Sequence, residues 1–99
     1  MAKRFIAMVG EEVTKEQRDQ VTAFVKSKGL GFWHWVGNVW LLTSSSDDLT
    51  ASTLRDSIRD LTGGDPMVMV LEVEPKTWAG FGLTGRFEWI KKNWKKIVS

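Results

Sequence analysis

The chain has no cysteine and no tyrosine, only two prolines and a single histidine in 99 residues. Without cysteine there are no disulfides, thiolate metal sites or cysteine nucleophiles, a composition that fits a cytoplasmic protein. No apolar run approaches the ~20 residues of a membrane span, so no membrane partner is expected. Met1-Ala2-Lys3-Arg4-Phe5 leads into an expected strand rather than a signal peptide. No Walker loop, zinc-ligand spacing or Gly-x-Ser-x-Gly occurs. The residues therefore imply no cofactor, and no catalytic or metal-ligating residue is assigned. His34 as a general base would need a nucleophile or an orienting carboxylate, and the sequence offers neither at a recognisable spacing. A structural histidine is expected, with ligand contact as the alternative.

Net charge is also small, +2 overall from 14 Lys and Arg against 12 Asp and Glu. It is unevenly spread: Arg86, Lys91, Lys92, Lys95 and Lys96 against Glu88 give residues 86–99 a net +4, leaving −2 for residues 1–85. Such a tail suits an anion such as phosphate, an acidic patch on a neighbouring subunit, or simply a solvated helix face.

What the chain has in excess is tryptophan. Three of its six lie in Phe32-Trp33-His34-Trp35-Val36-Gly37-Asn38-Val39-Trp40-Leu41-Leu42. Gly37-Asn38 suits a two-residue hairpin turn because both residues tolerate positive φ. That turn pairs Val36 with Val39, Trp35 with Trp40 and Trp33 with Leu42. Strand alternation then puts Trp33, Trp35, Trp40 and Leu42 on one face, and Phe32, His34, Val36, Val39 and Leu41 on the other. Both faces are apolar, so both need cover.

Around the hairpin, Arg4 to Val9 reads as a buried strand. Thr14-Lys15-Glu16-Gln17 reads as a capping box opening a helix with Val21, Phe24 and Val25 on one stripe and Gly29 at its end. A second helix starts at Thr50 and carries Leu54, Ile58 and Leu61 before Gly63-Gly64. Met67 to Glu74 is a fourth strand, with Met67, Met69, Leu71 and Val73 on its apolar side. The order β-α-β-β-α-β predicts an α+β, ferredoxin-like fold: a four-stranded antiparallel sheet with two helices on one face. Residues 1–75 form this core. Residues 76–99 belong to the same domain and would cover the other face with a loop (Trp78, Gly80, Phe81, Gly82, Gly85) and a helix striped with Phe87, Ile90, Trp94 and Ile97. Gly80-Phe81-Gly82-Leu83-Thr84-Gly85 matches Gly-x-Gly-x-x-Gly outside a βαβ unit; it reads as a hinge packing Trp78 and Phe81, or as a phosphate cradle.

Burying a tryptophan removes about 150–250 Å² from water, an upper-bound gain of roughly 4–6 kcal/mol, whereas stacking on a nucleobase is worth about 1–3 kcal/mol. Six tryptophans exceed what a core of this size needs, so both uses are open. Nothing in the chain explains the missing tyrosine. Trp33, His34, Trp35, Trp40 and Trp78 are the candidate base-contacting residues, and Arg86, Lys91, Lys92, Lys95 and Lys96 the candidate phosphate contacts.

The run Lys28-Gly29, Phe32-Trp33-His34-Trp35, Asn38-Val39-Trp40-Leu41-Leu42, Leu54-Arg55-Asp56 and Val68-Met69-Val70-Leu71-Glu72-Val73 resembles the small SinR-type ferredoxin-like proteins. These are relatives of the smaller CRISPR adaptation protein family, and the resemblance spans roughly residues 5–75. It implies a homodimer with a nucleotide or nucleic-acid partner. Members of the wider group are metal-dependent endoribonucleases or non-catalytic DNA-binding dimers. The nuclease pattern has an aspartate at the end of the first strand, where this chain has Val9-Gly10-Glu11-Glu12. Glu11 or Glu12 would have to hold the metal, although two glutamates before a helix also serve as dipole-favourable surface charge.

Three functions are thus expected, in order: a non-enzymatic homo-oligomer binding a nucleotide or nucleic acid, a metal-dependent endoribonuclease, and a protein-binding module. The first suits a small protein that sequesters a signalling nucleotide in phage defence or counter-defence.

Overall fold

The structure is a computed structural model describing residues 3–94. The strands are β1 (Lys3–Val9), β2 (Gly31–Val36), β3 (Val39–Ser44) and β4 (Val68–Val73). The helices are α1 (Lys15–Ser27), α2 (Ala51–Leu61) and α3 (Glu88–Asn93), the last preceded by a 3-10 turn at Thr84–Phe87. The sheet order is β2-β3-β1-β4, with every neighbouring pair antiparallel. This is the ferredoxin-like α+β arrangement that the sequence order predicts.

Local chemistry sets the helix ends. Thr14 Oγ1 accepts from the Gln17 amide at 3.1 Å while Gln17 Oε1 accepts from the Thr14 amide at 2.9 Å, so the expected capping box is complete. Thr50 and Thr53 form a second such box at the start of α2. Gly29 follows α1 with φ +72, the left-handed conformation that a stop of this kind favours.

The core lies between the sheet and the first two helices. Phe5, Ala7 and Val9 of β1 and Trp40 and Leu42 of β3 pack with Val21, Val25, Leu54 and Ile58, all buried. These strand residues sit at alternate positions, so α1 and α2 share one face of the sheet. On the other face α3 buries Ile90 and Trp94. Arg4 on β1 fastens α3 by donating from Nε to the Asn93 carbonyl at 2.7 Å, placing a cation at the helix C-terminus. The expected stripe is thus present at Ile90 and Trp94, with Phe87 half-buried in the 3-10 turn before it; Ile97 lies outside the described residues.

The hairpin departs from expectation. Val36 does pair with Val39, but Trp33 pairs with Leu41 rather than Leu42, and the register shifts between Trp33 and Val36. His34 and Trp35 together oppose Trp40, a β-bulge with one extra residue in β2. A one-residue slip moves side chains to the opposite face. Phe32 and His34 therefore join Trp40 and Leu42 on the helix side, and Trp33 joins Leu41 and Val36 on the α3 side. The turn differs too, because neither Gly37 nor Asn38 has positive φ. The turn is pinned instead by one local and two tertiary bonds: His34 Nε2 donates to the Gly37 carbonyl at 2.6 Å, Asn38 Nδ2 to the Gly10 carbonyl at 3.2 Å, and the Val9 amide to the Asn38 carbonyl at 3.0 Å.

Candidate ligand-binding cleft

The α3 side of the sheet carries a ladder of aromatic rings. Phe87 stacks with Trp33 at 6.2 Å between centroids and with Trp78 at 5.7 Å, the planes inclined by 25° and 20°. These are offset-stacking distances. The 3-10 turn supplies Phe87, β2 supplies Trp33, and the extended segment after β4 supplies Trp78. Gly80 makes the approach possible: a β-carbon there would lie 2.6 Å from Phe87 Cε1. The glycine thus makes room for a ring. Trp33 Nε1 donates to the Arg86 carbonyl at 2.6 Å, so the indole also holds the turn in place. The Arg86 guanidinium lies over the Trp35 ring, 4.3 Å from its centroid, a cation–π contact.

Between this ladder and α3 is a cleft of about 310 Å³, with Leu41, Val36, Ile90 and Trp94 completing its lining. Phe81 borders it and is fully exposed, contrary to its expected packing in the loop. The walls are aromatic and aliphatic, and the nearest cation of the 3-10 turn is Arg86.

Of the sequence-predicted residues, Trp33 and Trp78 line the cleft, while Arg86, next to Phe87 in the chain, lies over Trp35, which does not line it. Lys91 and Lys92 are exposed on α3, Lys91 at 3.8 Å from Glu88. Lys95 and Lys96 lie outside the described residues. His34 and Trp40 are on the other face: Trp40 shares the core face of β3 with Leu42, and the bulge in β2 turns His34 to join it. Trp40 is fully buried, and its indole stacks on the His34 ring at 4.2 Å. Trp40 Nε1 donates to Thr22 Oγ1 at 3.0 Å, and Thr22 Oγ1 lies 3.4 Å from His34 Nδ1. The Gly37 carbonyl only accepts, so His34 Nε2 carries a proton and donates to it, while Nδ1 faces the Thr22 hydroxyl. His34 thus links β2 to α1 through Thr22 and to the hairpin turn through Gly37.

Phe87, Phe81 and Ile90 are cleft residues that the candidate set lacks. The signal for Phe87 is its partner: a glycine within a tryptophan-bearing loop marks a place where a ring approaches backbone. Glu11 and Glu12 are exposed after β1, and among the described residues no group of three or more His, Asp or Glu is placed to hold a metal ion. No helix among the described residues is long and apolar enough to cross a membrane.

Fold and site together define the class: a ferredoxin-like α+β domain whose open sheet face carries an aromatic cleft under a third helix. Comparisons with protein-family models, curated proteins and solved structures found no match to this chain.

Proposed function

We propose that this chain is a non-enzymatic, homo-oligomeric binding protein for a nucleotide or a short stretch of nucleic acid, whose base enters the cleft beside Trp78, Phe81 and Phe87. The carrying observation is an open cleft of about 310 Å³ walled by aromatic rings, one of which, Phe87, directly follows Arg86 in the chain. That volume is at the small end of ligand sites and suits a single flat ring system. Stacking is worth about 1–3 kcal/mol per base and needs no base-specific hydrogen bond, consistent with the apolar walls. Arg86, with Lys91 and Lys92 on the following helix, supplies positive charge for the phosphate.

The test is a tryptophan-fluorescence and thermal-shift titration at low salt with mononucleotides, cyclic dinucleotides and short oligonucleotides. A saturable change with one class, lost in F81A, supports the reading. No change with any class ends it. The exposed Phe81 and Leu83 favour one second reading, docking of a protein segment in the same cleft. That reading predicts indifference to every nucleotide.

A further inference from the structure

We infer that β4 is the self-association edge of this protein, joining two copies about a two-fold axis through Val70; this rests on the homo-oligomeric part of the reading above and is independent of the ligand. β4 ends the sheet, so one side of its backbone has no strand beside it. Which groups face outward follows from the ladder. The Gly10 amide donates to the Met67 carbonyl at 2.8 Å, and these two residues continue the β1–β4 register by one step beyond Val9 and Val68. Hydrogen-bonding pairs alternate along an antiparallel ladder. Met67, Met69, Leu71 and Val73 therefore turn their backbone groups to β1, while Val68, Val70 and Glu72 turn theirs to the open edge.

Only a register centred on Val70 pairs all three outward residues between copies: Val70 with Val70, and Val68 with Glu72 in both directions. Charge selects the same register. Centred one residue later, at Leu71, the two Glu72 side chains become diagonal neighbours on one face; centred on Val70, they stand four residues, about 14 Å, apart. Glu72 has no hydrogen bond or ion pair within its own chain among the described residues. In the Val70 register it lands opposite the other copy's Val68, where a shallow groove between α2 and β4 is lined by Val68, Val70 and Arg55. Arg55 bonds Asp56 through Nε and Nη2, which leaves Nη1 for a carboxylate entering that groove. On the opposite face, the same pairing sets Met69 of one copy against Leu71 of the other. Their apolar side chains are 48% and 43% exposed in the single chain.

Single-cysteine variants test the register, because the native chain has no thiol. Opposed Cα atoms in a hydrogen-bonded pair are about 5.5 Å apart, within the disulfide range of about 4.4–6.8 Å. Oxidation should trap V70C as a covalent dimer and leave M69C and L71C largely monomeric on a denaturing gel. E72K should weaken self-association by about tenfold or more in sedimentation, by juxtaposing like charges, with an unchanged circular dichroism spectrum. A native chain that sediments as a monomer overturns both this inference and the oligomeric reading. An oligomer that traps best at 69 or 71, or that E72K leaves intact, overturns the Val70 edge while the oligomeric reading stands. Nucleotide titration of the same samples separates either failure from that of the ligand.

Discussion

The Phe87 ring lies against the bare backbone of Gly80, where a β-carbon would come 2.6 Å from Cε1. That contact decides whether the aromatic ladder exists, since Phe87 is the ring that stacks with both Trp33 and Trp78. G80A must push the ring aside, and overpacking of this kind costs about 1–3 kcal/mol. For a domain of this size each kcal/mol is about 4–8 °C in Tm. The expected outcome is a lowered Tm together with weakened ligand titration; unaltered values for both would mean that the ring relocates freely.

Arg86 should act on affinity rather than on stability. Its guanidinium rests on an exposed tryptophan ring, a contact worth about 0.5–1 kcal/mol at such a site. The backbone carbonyl that receives Trp33 Nε1 survives any side-chain change. R86Q should therefore shift the urea midpoint little, while reducing the salt slope of nucleotide binding by about one if the guanidinium meets a phosphate. An unchanged slope would remove Arg86 from the phosphate contacts.

Behind the sheet, Thr22 accepts from the buried indole of Trp40 and lies within reach of His34. T22V removes the acceptor and keeps the shape. It leaves the Trp40 N–H unpaired, which costs about 1–3 kcal/mol in a buried setting. Urea unfolding should show that loss, and nucleotide titration should be unaffected because the trio lies across the sheet from the cleft. Full stability in T22V would mean that the indole finds another acceptor.

The fold was legible because its signals are local and periodic. Thr14 and Gln17, Gly29, Thr50, and the Leu54–Ile58 spacing each specify an element end or a buried stripe, and their order leaves one sheet topology. The cleft was legible only in part. Trp78 and Arg86 follow from composition and charge, but the partition of the tryptophans depends on register. A single extra residue at His34-Trp35 reverses the face of Trp33 relative to Trp40, and nothing in an uninterrupted aromatic run marks where a bulge falls. The turn likewise carries residues suited to positive φ, yet bonds from His34, Asn38 and Val9 hold it otherwise. Gly10 and Val9 are tertiary partners and His34 lies outside the two turn residues, so none of these bonds is visible to a two-residue turn signal.

The reversed faces yield the sharpest division of labour. Trp40 is fully buried among Phe5, Leu42 and the helix residues, whereas Trp78 is half-buried and borders the open cleft. W40F removes ring volume and an indole N–H that Thr22 accepts, so it should lower the unfolding midpoint while preserving nucleotide affinity. W78A should do the converse. It takes one ring from the ladder at a site already open to water, so the stability change is small, while loss of a stacking surface worth about 1–3 kcal/mol weakens binding by roughly tenfold or more. Fluorescence adds a second readout, since W40F should retain the ligand-induced change and W78A should lose much of it. If instead W40F abolished the change and W78A did not, the ligand would lie on the helix side of the sheet, and the cleft under α3 would be packing alone.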